Sequence, residues 1–230
     1  GQMAATIAHE INNPLEAVTN LWWLLNQNAL PTAAREQLQL LGKELDRVVH
    51  ITKQTLEFYR EGSKAAPIDL RESIEDAIQL LAPKAKSRGA RIDADYRTSA
   101  IVKAYPGELR QVFSNLIINA LEAGATVIKI RVSPAVDVRR SPRRGVRVIL
   151  ADNGGGIPAG AKAKMFEPFV TTKAEKGTGL GLWVTKGIIQ KHEGWIRVLS
   201  STTDGRRGTS FCIFLPEATN RSPKESGKAA

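Results

Sequence analysis

The sequence predicts two folds in one chain. An all-α helical hairpin, able to complete a dimeric four-helix bundle, is followed by an α+β sandwich. Three observations carry this reading. Residues 2–28 and 32–61 repeat apolar positions at spacings of three and four. Glu61-Gly62-Ser63-Lys64 then interrupts that pattern. Beyond it, short alternating runs are interleaved with helical ones. The domains read as 1–61, a linker at 62–66, a second domain at 67–216 and a polar tail at 217–230.

In the first helix Met3, Ile7, Ile11, Leu15, Val18, Trp22 and Leu25 fall within roughly 120° of arc. Asn28 to Thr32 breaks it, with Pro31 suited to a first helical turn. The second helix carries Leu38, Leu41, Leu45, Val48, Ile51, Leu56 and Phe58 with Tyr59. Two long helices on a short link suggest an antiparallel hairpin. Its stripes enclose too little core alone, so a homodimer is expected.

In the second domain, Pro67–Leu70 reads as a strand and Arg71–Arg88 as a helix. Ile92–Tyr96 and Ile101–Ala104 are strands, and Gly107–Ala123 is a helix. Val127–Ser133 and Val146–Ala151 alternate as strands. Leu180–His192 is helical, and Trp195–Ser200 pairs with Thr209–Leu215 around Asp204-Gly205. The sheet is expected to be mostly antiparallel.

The 230 residues carry a net charge of +10, and its distribution is uneven. Residues 1–61 hold 5 Lys/Arg and 7 Asp/Glu, whereas 62–230 hold 28 and 16. Arg139, Arg140, Arg143 and Arg144 surround Ser141-Pro142 and read as a solvated hairpin loop. No recognition helix or zinc spacing accompanies the basic excess, so no nucleic-acid partner is expected. No run reaches the roughly eighteen apolar residues of a membrane span. A cytoplasmic location is expected for this stretch. Cys212 is the single cysteine and reads as a small core residue.

Four segments carry chemistry. Asn115-Leu-Ile-Ile-Asn119 places two carboxamides on one helical face. Asp152-Asn-Gly154-Gly155-Gly156-Ile157 sets a carboxylate at a strand end, where glycines let backbone approach a flat ligand. Phe166-Glu-Pro-Phe169, Thr171, Thr172 and Lys173 supply aromatic anchors and a cation for a phosphate. Gly177-Thr178-Gly179-Leu180-Gly181 opens a helix, whose free N–H groups suit an anion.

In this order the four segments resemble the N, G1, F and G2 boxes of the ATP-binding domain of sensor histidine kinases. The resemblance covers roughly residues 67–216. It implies ATP and Mg²⁺ as ligands. Asn119 is similar to the metal-ligating asparagine, with Asn115 supporting the same face. Asp152 resembles the carboxylate that reads the adenine amino group. Gly154 and Gly156 admit the base beside Ile157. Gly177, Gly179 and Gly181, with Thr178 and Leu180, wrap the phosphates. Phe166, Thr172 and Lys173 belong to the lid, which looks short here.

The superfamily's hydrolysing members resemble one another in a glutamate four residues before the metal asparagine. Here that position is Asn115, which has no basicity to activate water. The better acceptor is a protein nucleophile. His9 lies about 180° from the centre of the apolar stripe, with Asn13 on the same open face. A neutral imidazole offers one nitrogen lone pair at pH 7, and Glu10 is placed to hold the other N–H. His9-Glu10-Ile11-Asn12-Asn13-Pro14 matches the family pattern H-E-x-x-N-P in full. By resemblance His9 is the phosphoacceptor and Glu10 the base or orienter. Asn13 would position water for dephosphorylating a partner. Pro14 removes one helical hydrogen bond and bends the helix. His50 and His192 lack such neighbours and read as structural or surface residues. The resemblance implies transfer to a response-regulator aspartate and a sensory domain upstream of residue 1. The competing reading is a superfamily ATPase without a phosphohistidine.

Overall fold

The computed structural model describes residues 15–27, 31–42, 45, 48, 65–139, 141–168, 170–171 and 179–218. It divides into two compact units, Gly1–Lys64 with Lys164–Val184, and Ala65–Ala163 with Thr185–Ala230.

In the first unit, residues 15–26 (α1) and 32–42 (α2) are helical, as are residues 45 and 48. Trp22 Nε1 donates to Leu38 O at 2.6 Å. Trp22 lies four residues before the end of α1 and Leu38 six residues after the start of α2, so the contact fits antiparallel helices. Gly42 is buried because it must be small: a Cβ there would overlap the Trp22 indole. Val18, Leu21, Leu24, Leu25, Leu40 and Leu41 remain exposed. The hairpin thus buries one seam and leaves these apolar side chains exposed.

The second unit follows the sequence pattern with longer strands. Its elements are β1 (Ala66–Asp69), α3 (Leu70–Ser87), β2 (Arg91–Tyr96), β3 (Ile101–Ala104), α4 (Pro106–Glu122), β4 (Val127–Asp137) and β5 (Arg143–Asp152). A single turn, α5 (Ala159–Lys162), then precedes α6 (Gly181–Lys191), β6 (Trp195–Ser201) and β7 (Gly208–Pro216). Five strands form one sheet in the order β2-β4-β5-β7-β6. β2 runs parallel to β4, and the other three pairings are antiparallel.

The alternate residues Ile128, Ile130 and Val132 of β4 are buried, as are Val146, Val148 and Leu150 of β5. Phe211, Ile213 and Leu215 continue the row on β7. In α3, Leu70, Ile74, Ala77, Leu81 and Ala85 form a buried stripe at helical spacing. In α4, Leu109, Val112, Phe113, Leu116, Ile117, Ala120 and Leu121 do the same. This leaves the opposite sheet face polar. Across it, Asp95, Arg131, Ile149, Cys212 and Arg197 lie in one register row.

Three sequence expectations are corrected. Cys212 is half-buried on the polar face and is not a core residue, because β7 alternates and Phe211 and Ile213 take the inward positions. Leu70 does not end a strand: Asp69 caps α3 through Oδ1, which accepts from Arg71 N at 2.9 Å, and Leu70 is the first helical residue. Arg143 and Arg144 belong to β5 and not to the loop. Arg143 pairs with Glu193 at 2.8 Å, and Arg139 pairs with Asp137 while lying over the Trp195 ring. An unforeseen element is a separate two-stranded sheet, β1 with β3.

Candidate functional site

The G1 segment leaves the sheet at the end of β5. Asp152 Oδ1 accepts from Gly154 N at 2.8 Å and from Thr209 N at 3.3 Å. Oδ2 receives no hydrogen bond from the described residues. Burial pushes the Asp152 carboxyl above its ordinary value, and the two backbone N–H groups act against that shift. The carboxylate is therefore fixed through one oxygen and offers the other to an outside donor.

The following turn is built around glycine. Gly156 has φ 76°, and a Cβ there would collide with the Ser201 carbonyl. Gly208 has φ 142°, with its backbone against the Asp152 carbonyl. Ile157 N donates to Ser200 Oγ at 2.8 Å, and Ser200 Oγ lies 3.0 Å from Thr209 Oγ1. Asn153 turns away from the site: its Oδ1 accepts from Thr126 N and Val127 N, both at 2.9 Å. That bond pair pins the turn to the start of β4.

Thr209, Ser200 and Gly208 were not singled out by the sequence reading. Their only signal is a glycine–threonine pair opening a strand. Their place beside Asp152 follows from the register Asp152↔Thr209 and Ser200↔Thr209, which local sequence does not encode.

α4 places Asn115 and Asn119 on one half-buried stripe, beside the buried stripe of Leu116 and Ala120. Asn115 Nδ2 donates to Thr185 Oγ1 at 3.4 Å. Among the described residues, no hydrogen bond engages the Asn119 carboxamide. Asn119 is thus the member of the pair that is open to a ligand, and Asn115 braces α4 against α6. Among the described residues there is no cluster of three or more His, Cys, Asp or Glu able to hold a metal ion. A hard cation at Asn119 would take its remaining oxygens from a ligand's phosphates and water.

Within the segment Lys164–Val184, Phe166 is half-buried, and Met165 and Leu180 are buried. Gly179 has φ 67°, which suits the turn into α6 at Gly181. Leu180 O accepts from Val184 N at 2.9 Å. Thr172, Lys173, Gly177 and Thr178 lie outside the described residues, as do Phe169, His50 and the whole His9-Glu10-Asn13-Pro14 stretch. His192 is a buried structural residue: Nδ1 bonds Ile188 O at 2.8 Å, and Nε2 accepts from Tyr105 N at 3.2 Å.

Among the described residues no helix is long and apolar enough to cross a membrane. The chain matches two protein families. Residues 1–64 match the His Kinase A (phospho-acceptor) domain. Residues 104–219 match the histidine kinase-, DNA gyrase B-, and HSP90-like ATPase family. The chain is 34% identical to the sensor histidine kinase ZraS of Escherichia coli (strain K12), over 97% of its own length and 47% of that protein's. It is 36% identical to sporulation kinase A of Bacillus subtilis (strain 168), over 94% of its length and 34% of that protein's. It therefore spans about half or less of the curated relatives it matches.

Among solved structures, full-length ShkA in complex with AMPPNP matches 95% of this chain and 47% of that one, with a TM-score of 0.64 and 27% identity. The catalytic domain of histidine kinase ThkA matches 68% of this chain and all of that one, with a TM-score of 0.55 and 29% identity. A His Kinase A domain followed by an ATPase domain of the histidine kinase type is the composition of one family, and the chain belongs to it: it is a histidine kinase catalytic core.

Proposed function

We propose that this core binds ATP through the second unit and transfers its γ-phosphoryl group to His9. The observation that carries the nucleotide half is Asp152. One carboxylate oxygen is tied down by two backbone amides, and the other is left to accept from an amine, beside the Gly156 turn that only glycine fits. An exocyclic adenine N–H is the donor such an acceptor selects. Asn119 supports a Mg²⁺ site, since nothing described in the protein competes for its carboxamide. A bound Mg²⁺ would offset the phosphate charge. Gly177, Thr178, Gly179, Leu180 and Gly181 would hold the phosphates by backbone N–H groups, with Phe166, Thr172 and Lys173 closing over them.

The chemistry then falls to residues 9–14. One nitrogen lone pair of neutral His9 attacks the γ-phosphorus, the bond to the β–γ bridging oxygen breaks, and ADP leaves. Glu10 holds the proton on the other ring nitrogen and stabilises the positive charge that develops there. Asn13 positions water for the reverse task of dephosphorylating a partner. The partners are a second copy of this chain, paired through the exposed leucines of α1 and α2, and a response-regulator receiver domain.

Asn115 disfavours the ATPase reading because it cannot serve as a general base for water. Incubation with γ-labelled ATP tests the proposal. The chain should acquire acid-labile, base-stable label. Steady phosphate release with no labelled protein would overturn it.

A further inference from the structure

The nucleotide reading uses the C-terminal half of α4. At the other end of that helix, a polar lock joins α4 to α6. Glu108, in the first turn of α4, is 2% exposed. Its Oε1 accepts from Lys191 Nζ, in the last turn of α6. Its Oε2 is buried without a hydrogen bond, 3.8 Å from His192 Nε2. That same Nε2 accepts the backbone N–H of Tyr105, the N-cap of α4, which has no side-chain cap of its own. Lys191 Nζ also lies 4.1 Å from the centre of the Tyr105 ring, and His192 meets that ring edge-on.

Such a lock is a poor source of stability. Desolvating a carboxylate costs about as much as a buried pair returns, and an apolar contact would do as well. What it supplies is axial register: apolar side chains slide past one another, whereas directed hydrogen bonds fix one height. The Asn115–Thr185 bond is a second tie in the same antiparallel register, seven residues further along α4 and six back along α6. Asn119 lies a single helical turn beyond it.

We propose that Glu108 is a positioning residue for the metal end of the nucleotide site. Held by Lys191 and facing His192, it sets the height of α4 against α6 and so the place of the Asn119 carboxamide, ~16 Å further along the helix. The inference rests on the assignment of Asn119 to Mg²⁺. The adenine end, held by Asp152 at the end of β5, does not depend on it.

AMPPNP binding by calorimetry, once with Mg²⁺ and once with EDTA, tests this together with the thermal midpoint. Wild-type chain should bind more tightly with Mg²⁺. In Glu108→Gln that tightening should shrink by about threefold or more, with EDTA affinity within about twofold of wild type. Full Mg²⁺ tightening in the variant would overturn the proposal. So would parallel loss of affinity in both conditions together with a lower midpoint, the signature of a purely structural role. If Glu108→Gln does not fold, Lys191→Gln removes the same pair from its exposed end, and the same outcomes decide. A wild-type chain that binds AMPPNP in neither condition overturns the nucleotide reading itself. One that binds it without preference for Mg²⁺ overturns the assignment of Asn119.

Discussion

At the scale of single residues, Asp152 is a carboxylate that folding holds at a cost. Burial raises its carboxyl above the ordinary carboxylate value. A group whose pKa is raised by folding stabilises the native state when protonated, and loses that contribution as pH climbs through the folded value. At pH 7 the ionised group is therefore a cost. Asp152→Asn should leave the thermal midpoint at pH 7 unchanged or higher, and the difference from wild type should vanish on acidification through the carboxylate range. The same variant should weaken Mg·AMPPNP binding by about tenfold or more, about 1.4 kcal/mol, read by calorimetry. Asp152 stands out in the sequence only in company: a carboxylate before three glycines is also what a plain glycine turn looks like, and the order of the four segments is what singles it out. Thr209 does not stand out, because only strand pairing brings it to Asp152.

Among the elements, the α1–α2 hairpin makes the sharpest claim. Gly42 is small because the Trp22 indole fills the space a Cβ would need. Gly42→Ala should cost roughly 1–3 kcal/mol by overpacking, seen as a lower urea midpoint in tryptophan fluorescence. Trp22→Leu in the same chain should recover part of the loss. Long periodic helices and alternating strands were readable from sequence, since each has a local period tied to one buried face. The β1–β3 sheet was not: it joins Ala66–Asp69 to Ile101–Ala104 across a helix and a strand, with no turn to announce the pairing. Leu70 shows the limit at an element's edge, where one carboxylate cap converts the end of an apolar run into the start of a helix.

On the scale of the whole molecule, exposed apolar side chains on α1 and α2 suit the proposed pairing with a second copy of the chain. Leu21 and Leu25 are 58% and 49% exposed, on the same helix as the exposed Val18 and Leu24. Sedimentation equilibrium should give a dimer mass, and the Leu21→Glu/Leu25→Glu double variant should give a monomer with its nucleotide affinity retained. In the proposed activity a phosphoryl group taken from ATP at the Asp152 site arrives at His9. Mapping the phosphorylated residue by mass spectrometry at neutral pH, on wild type and on His9→Gln, decides whether it does. The phosphoryl group should sit on His9 in wild type, and none should be found in His9→Gln that still binds AMPPNP. A phosphorylated His9→Gln chain, or a wild-type chain modified at another residue, would contradict it.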